Sequence, residues 1–140
     1  MTHYRDTHIR VLTSGFSQNI ANYMNETFNL YGFRATANSH LEFLRGTNEE
    51  DILLIIISNS GDTQRLVELA EIAQKHQMAL IAFVGDKKSK VGDLATLTIS
   101  TNTYSPKTLQ SFTPNFFFGT VLNQYELLLN GALKNLYEAP

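Results

Sequence analysis

The sequence predicts an α/β fold, a doubly wound parallel sheet covered by helices on both faces. Three observations carry this. The run Ile52-Leu53-Leu54-Ile55-Ile56-Ile57 is wholly apolar and rich in β-branched residues, as a central strand covered on both sides requires. It turns at Ser58-Asn59-Ser60-Gly61-Asp62-Thr63 straight into a helical period. There Leu66, Val67, Leu69, Ala70 and Ala73 are apolar, with Glu68, Glu71 and Lys75 between them. Strand-like and helix-like segments also alternate along the chain, which argues a parallel sheet.

The elements follow in order. His8 to Thr13 reads as a first strand centred on Ile9, Val11 and Leu12, broken at Ser14-Gly15. A helix is expected from about Ser17 to Tyr31, with an imperfect apolar stripe of Ile20, Ala21, Met24, Phe28 and Leu30. Gly32 stops it, as a glycine just past a helix end does. Phe33 to Ala37 is a short second strand. Asn38-Ser39-His40 opens a brief helical piece through Leu41, Phe43 and Leu44, closed by Gly46. The central strand and its helix come next. Met78 to Val84 is a fourth strand, Gly85 to Lys90 a polar loop, and Val91 to Ala95 a short helix. Leu97 to Ser100 is a fifth strand, and Thr101 to Pro114 is a polar loop. The last helix runs from about Asn115 to Tyr137. Its apolar residues, among them Phe116 to Phe118, Leu127 to Leu129, Leu133 and Leu136, leave only a thin polar side. That predicts burial nearly all round. One sheet face offers too little cover, so a homodimer through this helix is expected.

Bulk properties narrow the function. At 140 residues the chain is one domain, residues 1–140, long enough for a real core. The net charge is −2, and no basic cluster exceeds Lys87-Lys88 with Lys90, so this domain by itself is a poor nucleic-acid binder. With no cysteine there is no disulfide, thiolate metal site or cysteine nucleophile. The longest apolar run falls far short of a membrane span, and Met1 to Arg10 is too polar for a signal peptide. A cytoplasmic protein with no membrane contact is the expectation. The histidines are scattered and lack carboxylates at ligand spacing, so neither a metal nor a cofactor is expected.

The chemistry concentrates in the turn after the central strand. A helix start leaves unpaired N–H groups and carries the positive end of the helix dipole. Gly61 permits close backbone approach, and Ser58, Ser60 and Thr63 add hydroxyls. Such a cup suits a phosphate or another oxyanion. Ser60 or Asp62 serving only as a helix cap is an alternative that the turn alone leaves open. The first strand repeats the pattern. Val11-Leu12-Thr13-Ser14-Gly15-Phe16-Ser17 is again strand, glycine turn and serine at a helix start. On neighbouring strands, two such turns would face one site.

Here the chain resembles a known family, the sugar isomerase (SIS) domain. That family pairs a G-x-G-x-S turn after its first strand with an [IL]-S-x-S-G-[ED]-T turn after its third. The second motif is intact from Ile57 to Thr63. In the first, Gly15 and Ser17 fit, and Thr13 replaces the leading glycine. Gly32-Phe33 followed by Ser39-His40-Leu41 is similar to the regulator branch of the family, the RpiR or MurR type, with Asn38 replacing an aspartate. Ser89 to Ala95 resembles the family's S-x-L-A-x-x-A imperfectly, with Val91 and Gly92 in place of the leucine and alanine.

The resemblance implies a flavodoxin-like three-layer α/β/α sandwich with a five-stranded parallel sheet, binding a sugar phosphate. Carried over by position, Ser58, Ser60 and Thr63 would hold the phosphate with the N–H groups of Asn59, Ser60, Gly61 and Asp62. Ser17, in the Gly15 turn, would contact the sugar or phosphate, and His40 would lie near the sugar hydroxyls. Isomerisation needs a base, which the isomerase branch typically draws from a glutamate in or just before the late helix. No Asp or Glu lies between Asp93 and Glu126, and Glu126 sits about three turns into the last helix, poorly placed for the sheet edge. That favours a ligand sensor of a transcriptional regulator over an enzyme. The alternatives are an isomerase using His40 or a partner's residue, and a degenerate oligomerisation domain. DNA would be reached only through a helix-turn-helix domain. The roughly seven residues before the first strand are too few to form one.

Overall fold

Nine elements alternate along the chain: β1 (His8–Thr13), α1 (Gln18–Leu30), β2 (Arg34–Ala37), β3 (Ile52–Ser58), α2 (Gln64–Lys75), β4 (Ala79–Val84), α3 (Lys90–Leu94), β5 (Leu97–Ser100) and α4 (Phe117–Glu138). The computed structural model describes residues 7–13, 17–37, 52–104 and 115–138, without the side chains of 136–138. The helical piece expected from Asn38 to Gly46 lies outside the described residues, as do Gly15, His40 and most of the loop before α4.

The five strands form one all-parallel sheet in the order β2-β1-β3-β4-β5. β1 lies directly beside β3, with Thr13 opposite Ile57, so the two glycine turns leave adjacent strands. The chain winds from β1 out to β2, then crosses back to β3 and on to β5. Its direction therefore reverses between β1 and β3, which is where open α/β sheets place ligands.

Two apolar layers sandwich the sheet. Val11, Ile55, Ile57 and Phe83 pack under α1 and α4, while Leu54, Ile56, Leu80 and Ala82 pack under α2 and α3. Leu54, Ile55, Ile56 and Ile57 are all fully buried, which explains the absence of alternation in this strand. Burying each of them contributes about 1.5–3 kcal/mol.

The helix ends follow local rules. Gly32 has φ +90°, and the N–H groups of Gly32 and Phe33 return to Asn29 and Phe28. The rings of Phe28 and Phe33 then meet edge to face at 5.8 Å. This is the left-handed helix stop that Gly32 predicts. α2 ends in the same way without a glycine. Gln77 takes φ +58°, and Met78 N–H bonds Ala73 O at 2.8 Å. Met78 therefore belongs to the helix stop, and the fourth strand begins one residue later than the sequence suggests.

The last helix departs from expectation. Burial nearly all round is not what this chain shows. Phe117, Val121, Tyr125 and Leu129 form one buried stripe, but Leu127 is 74% exposed and Phe116 is 65% exposed. The cause is crowding on the sheet face. α1 already covers part of it, so α4 can present only one stripe. Tyr125 is wedged against α1, with its hydroxyl 2.5 Å from Thr27 Oγ1. Tyr23 of α1 donates to Glu126. Burial pushes the Tyr125 phenol up to about 12, the pairing with Thr27 pulling weakly the other way. Beside Leu127 and Leu128, a groove of about 460 Å³ opens at the amino-terminal ends of the strands, floored by Ile9, Leu53 and Ile81. No helix among the described residues is long and apolar enough to cross a membrane.

Candidate functional site

Ser58 is the last residue of β3 and is buried, held there by the central pairing of the strand. The chain then turns through Asn59, Ser60 and Gly61, with Gly61 at φ +68°. Gly61 N–H donates to Ser58 Oγ at 3.0 Å, and Asp62 N–H donates to Ser60 Oγ at 3.2 Å. Two of the amides expected to face an anion are thus engaged within the turn itself. This changes how the turn can bind. Each serine oxygen has a lone pair occupied by an amide, which leaves its O–H as the outward donor. The cup is therefore one of oriented hydroxyls as much as of amides.

The helix that follows starts open. Thr63 occupies the N-cap position with extended backbone (φ −60°, ψ 120°), yet its hydroxyl makes no capping bond. The first helical bond is Val67 N–H to Thr63 O. Neither Ser60 nor Asp62 is the cap of this helix, so the capping alternative left open by the sequence does not hold. α1 starts in the same manner. Ser17 is its N-cap residue, is buried, and makes no side-chain capping bond. Two helix starts without a side-chain cap therefore flank the β1/β3 junction, one on each face of the sheet.

Thr13 replaces a glycine of the first turn. It is buried, and its hydroxyl donates to Gln18 Oε1 at 3.1 Å. Gln18 in turn donates to Asn22. The side chain thus ties the end of β1 to the first residue of α1.

Neighbouring loops hold the Gly61 turn in place. A Cβ on Gly61 would lie 2.1 Å from Ser89 Oγ, so only glycine fits against the loop after β4. Gly61 O accepts Val91 N–H at 3.0 Å, and Asp62 Oδ1 accepts Lys90 N–H at 3.1 Å. On the other side Gly85 N–H donates to Asn59 O at 2.9 Å, and Tyr104 N–H reaches Gly85 O at 3.3 Å. A Cβ on Gly85 would lie 2.2 Å from Asn59 Oδ1 and 2.7 Å from Tyr104 Cβ. The loops after β3, β4 and β5 therefore interlock.

The described candidates form two groups. Ser58, Asn59, Ser60, Gly61 and Thr63 make one continuous turn, and Ser17 stands at the start of α1 after the adjacent strand. Gly15 and His40 lie outside the described residues. His8, the first residue of β1, is at the opposite edge of the sheet, where burial and the nearby Arg10 and Arg34 lower its pKa. Glu126, the carboxylate judged poorly placed for chemistry, is exposed and accepts from Tyr23. Sequence reasoning missed Ser89 and Tyr104 as parts of this unit. The signal for Ser89 was its place in the loop before α3, and Tyr104 gave none.

Comparison with known proteins agrees with this geometry. Residues 4–124 match the SIS domain family. No curated protein matches the chain in sequence. Solved structures share the fold at low identity. The sugar isomerase domain of an RpiR transcription factor from Sphaerobacter thermophilus is 18% identical with a TM-score of 0.71, over 97% of this chain and 78% of that one. An E. coli CFT073 protein, c3406, solved in complex with arabinose-5-phosphate, is 21% identical with a TM-score of 0.75, over 99% and 74% of the two chains. The NanR protein of Vibrio vulnificus, complexed with ManNAc-6P, is 15% identical with a TM-score of 0.76, over 98% of this chain and 53% of NanR. With the intact serine turn at the carboxyl edge of a five-stranded parallel sheet, and a family match spanning most of its length, the chain belongs to the SIS domain family.

Proposed function

We propose that residues 1–140 act as a single sugar-phosphate sensor domain of a transcriptional regulator. The phosphate would rest on the hydroxyls of Ser58, Ser60 and Thr63 and on the start of α2. The sugar would extend toward Ser17 and the Gly15 turn, with His40 as a further contact. The observation that carries this reading is the pairing of oriented serine hydroxyls with a helix start that Thr63 leaves uncapped, beside a second such start at Ser17. Donors converging on one point at a helix N-terminus favour an oxyanion. The ManNAc-6P and arabinose phosphate complexes of structurally similar proteins suggest which class of oxyanion to try.

Sensing is favoured over turnover because residues 94–125 contain no carboxylate and Glu126 is tied to Tyr23. DNA would be contacted only through a helix-turn-helix domain outside these residues. The homodimer would form through α4, whose Leu127 stands in solvent. Leu127→Glu is then expected to turn a dimer into a monomer in sedimentation. A wild-type chain that already sediments as a monomer removes the dimer from the proposal.

The test of function is a thermal-shift series. ManNAc-6P and the arabinose phosphate, offered at about a hundred times their dissociation constants, should stabilise the fold by roughly 2.7 kcal/mol, and the unphosphorylated sugars should do little. Equal shifts with and without phosphate would refute the reading.

A further inference from the structure

A carboxylate inside an anion-binding turn needs an explanation, and Asp62 has one. Its Oδ1 accepts Lys90 N–H, the first amide of α3, and the adjacent Gly61 O accepts Val91 N–H, the second. Its own N–H meanwhile holds Ser60 Oγ. Asp62 therefore joins the serine turn to the helix start behind it with its side chain, and fixes one of the hydroxyls with its backbone. We infer that Asp62 is a positioning residue for anion binding. Its carboxylate is turned away from the cup to clip the turn onto α3, and this clip keeps the Ser60 hydroxyl and the start of α2 in register.

The inference rests on the sugar-phosphate reading for its ligand, but the clip itself stands on geometry alone. Two bonds from consecutive residues of one loop to consecutive residues of the other resist sliding, as a single bond would not. The contact between Gly61 and Ser89 closes the remaining space. The group at position 62 must accept a hydrogen bond, and the clip does not require it to be charged. Asparagine preserves the acceptor and removes a negative charge from the neighbourhood of the anion. Alanine removes both.

The experiment compares wild type, Asp62→Asn and Asp62→Ala by amide hydrogen exchange without ligand and by calorimetric titration with ManNAc-6P and the arabinose phosphate. In Asp62→Ala the Lys90 amide should exchange at least roughly tenfold faster, and binding should weaken roughly tenfold, the scale of one hydrogen bond to a charged group. Asp62→Asn should restore both, binding as tightly as wild type or more so. Equal weakening in both variants would overturn the inference, because charge and not acceptance would then matter. So would unchanged Lys90 exchange in Asp62→Ala. If wild type binds neither compound, the sensor reading fails, and the exchange data still decide whether Asp62 clips the turn.

Discussion

The starts of α2 and α3 lie on the same face of the sheet, one strand apart, and are finished in opposite ways. α3 is sealed. Lys90 N–H goes to Asp62, Val91 N–H to Gly61 and Gly92 N–H to Ser89 Oγ. α2 is left open, with Thr63 in the cap position and its hydroxyl unused. A helix start that is only structural gets its orphan donors satisfied by protein, as at α3. One left open beside two oriented serines, at the strand junction where the winding reverses, has the character of a site. The acidic residue of the serine turn serves the sealed helix, and this keeps its charge from spoiling the open one.

The largest test of this contrast is Gly61→Ala. The residue must adopt φ +68° and its Cβ would collide with Ser89. We expect a loss of about 3 kcal/mol in denaturant unfolding, together with loss of ligand binding. A variant as stable as wild type would show that the two loops are not locked.

Ser60→Asp is next in size. It places a carboxylate at the open helix start, where the phosphate belongs, and should weaken sugar-phosphate binding by on the order of a hundredfold through like-charge repulsion. The half-buried turn should remain folded, with the melting temperature little changed. Retained affinity in a folded variant would move the site elsewhere.

Ser89→Ala sharpens the comparison from the sealed side. It removes the cap on Gly92 N–H and should cost about 1 kcal/mol of stability, with affinity nearly unchanged. A reversal, in which affinity falls and stability does not, would mean that the sealed start also touches ligand.

Much of this was readable in advance. The four-residue core run of β3, the glycine stop at Gly32, the helix period from Leu66 to Ala73 and the S-x-S-G-D-T turn are all local patterns, and each appears where the pattern puts it. Other features carried no local signal. Gln77 adopts a left-handed conformation that sequence ordinarily assigns to glycine. The stop of α2 therefore looked like the start of a strand. The apolar sides of α4 suggested full burial, because periodicity cannot tell how many helices share a sheet face.

Sequence alone determined the chemistry that gathers at the carboxyl edge: hydroxyls, a glycine and a helix start, supplied twice, after β1 and after β3. Those are properties of short segments, set by dihedral preference and side-chain type. Tertiary structure decided which of the donors remain available. Asp62 finds its partner 28 residues further along the chain, and Gly61 meets Ser89 only because β4 lies beside β3. Hydrogen bonds between distant segments form where the sheet brings loop ends together, and no local pattern in the chain records that meeting.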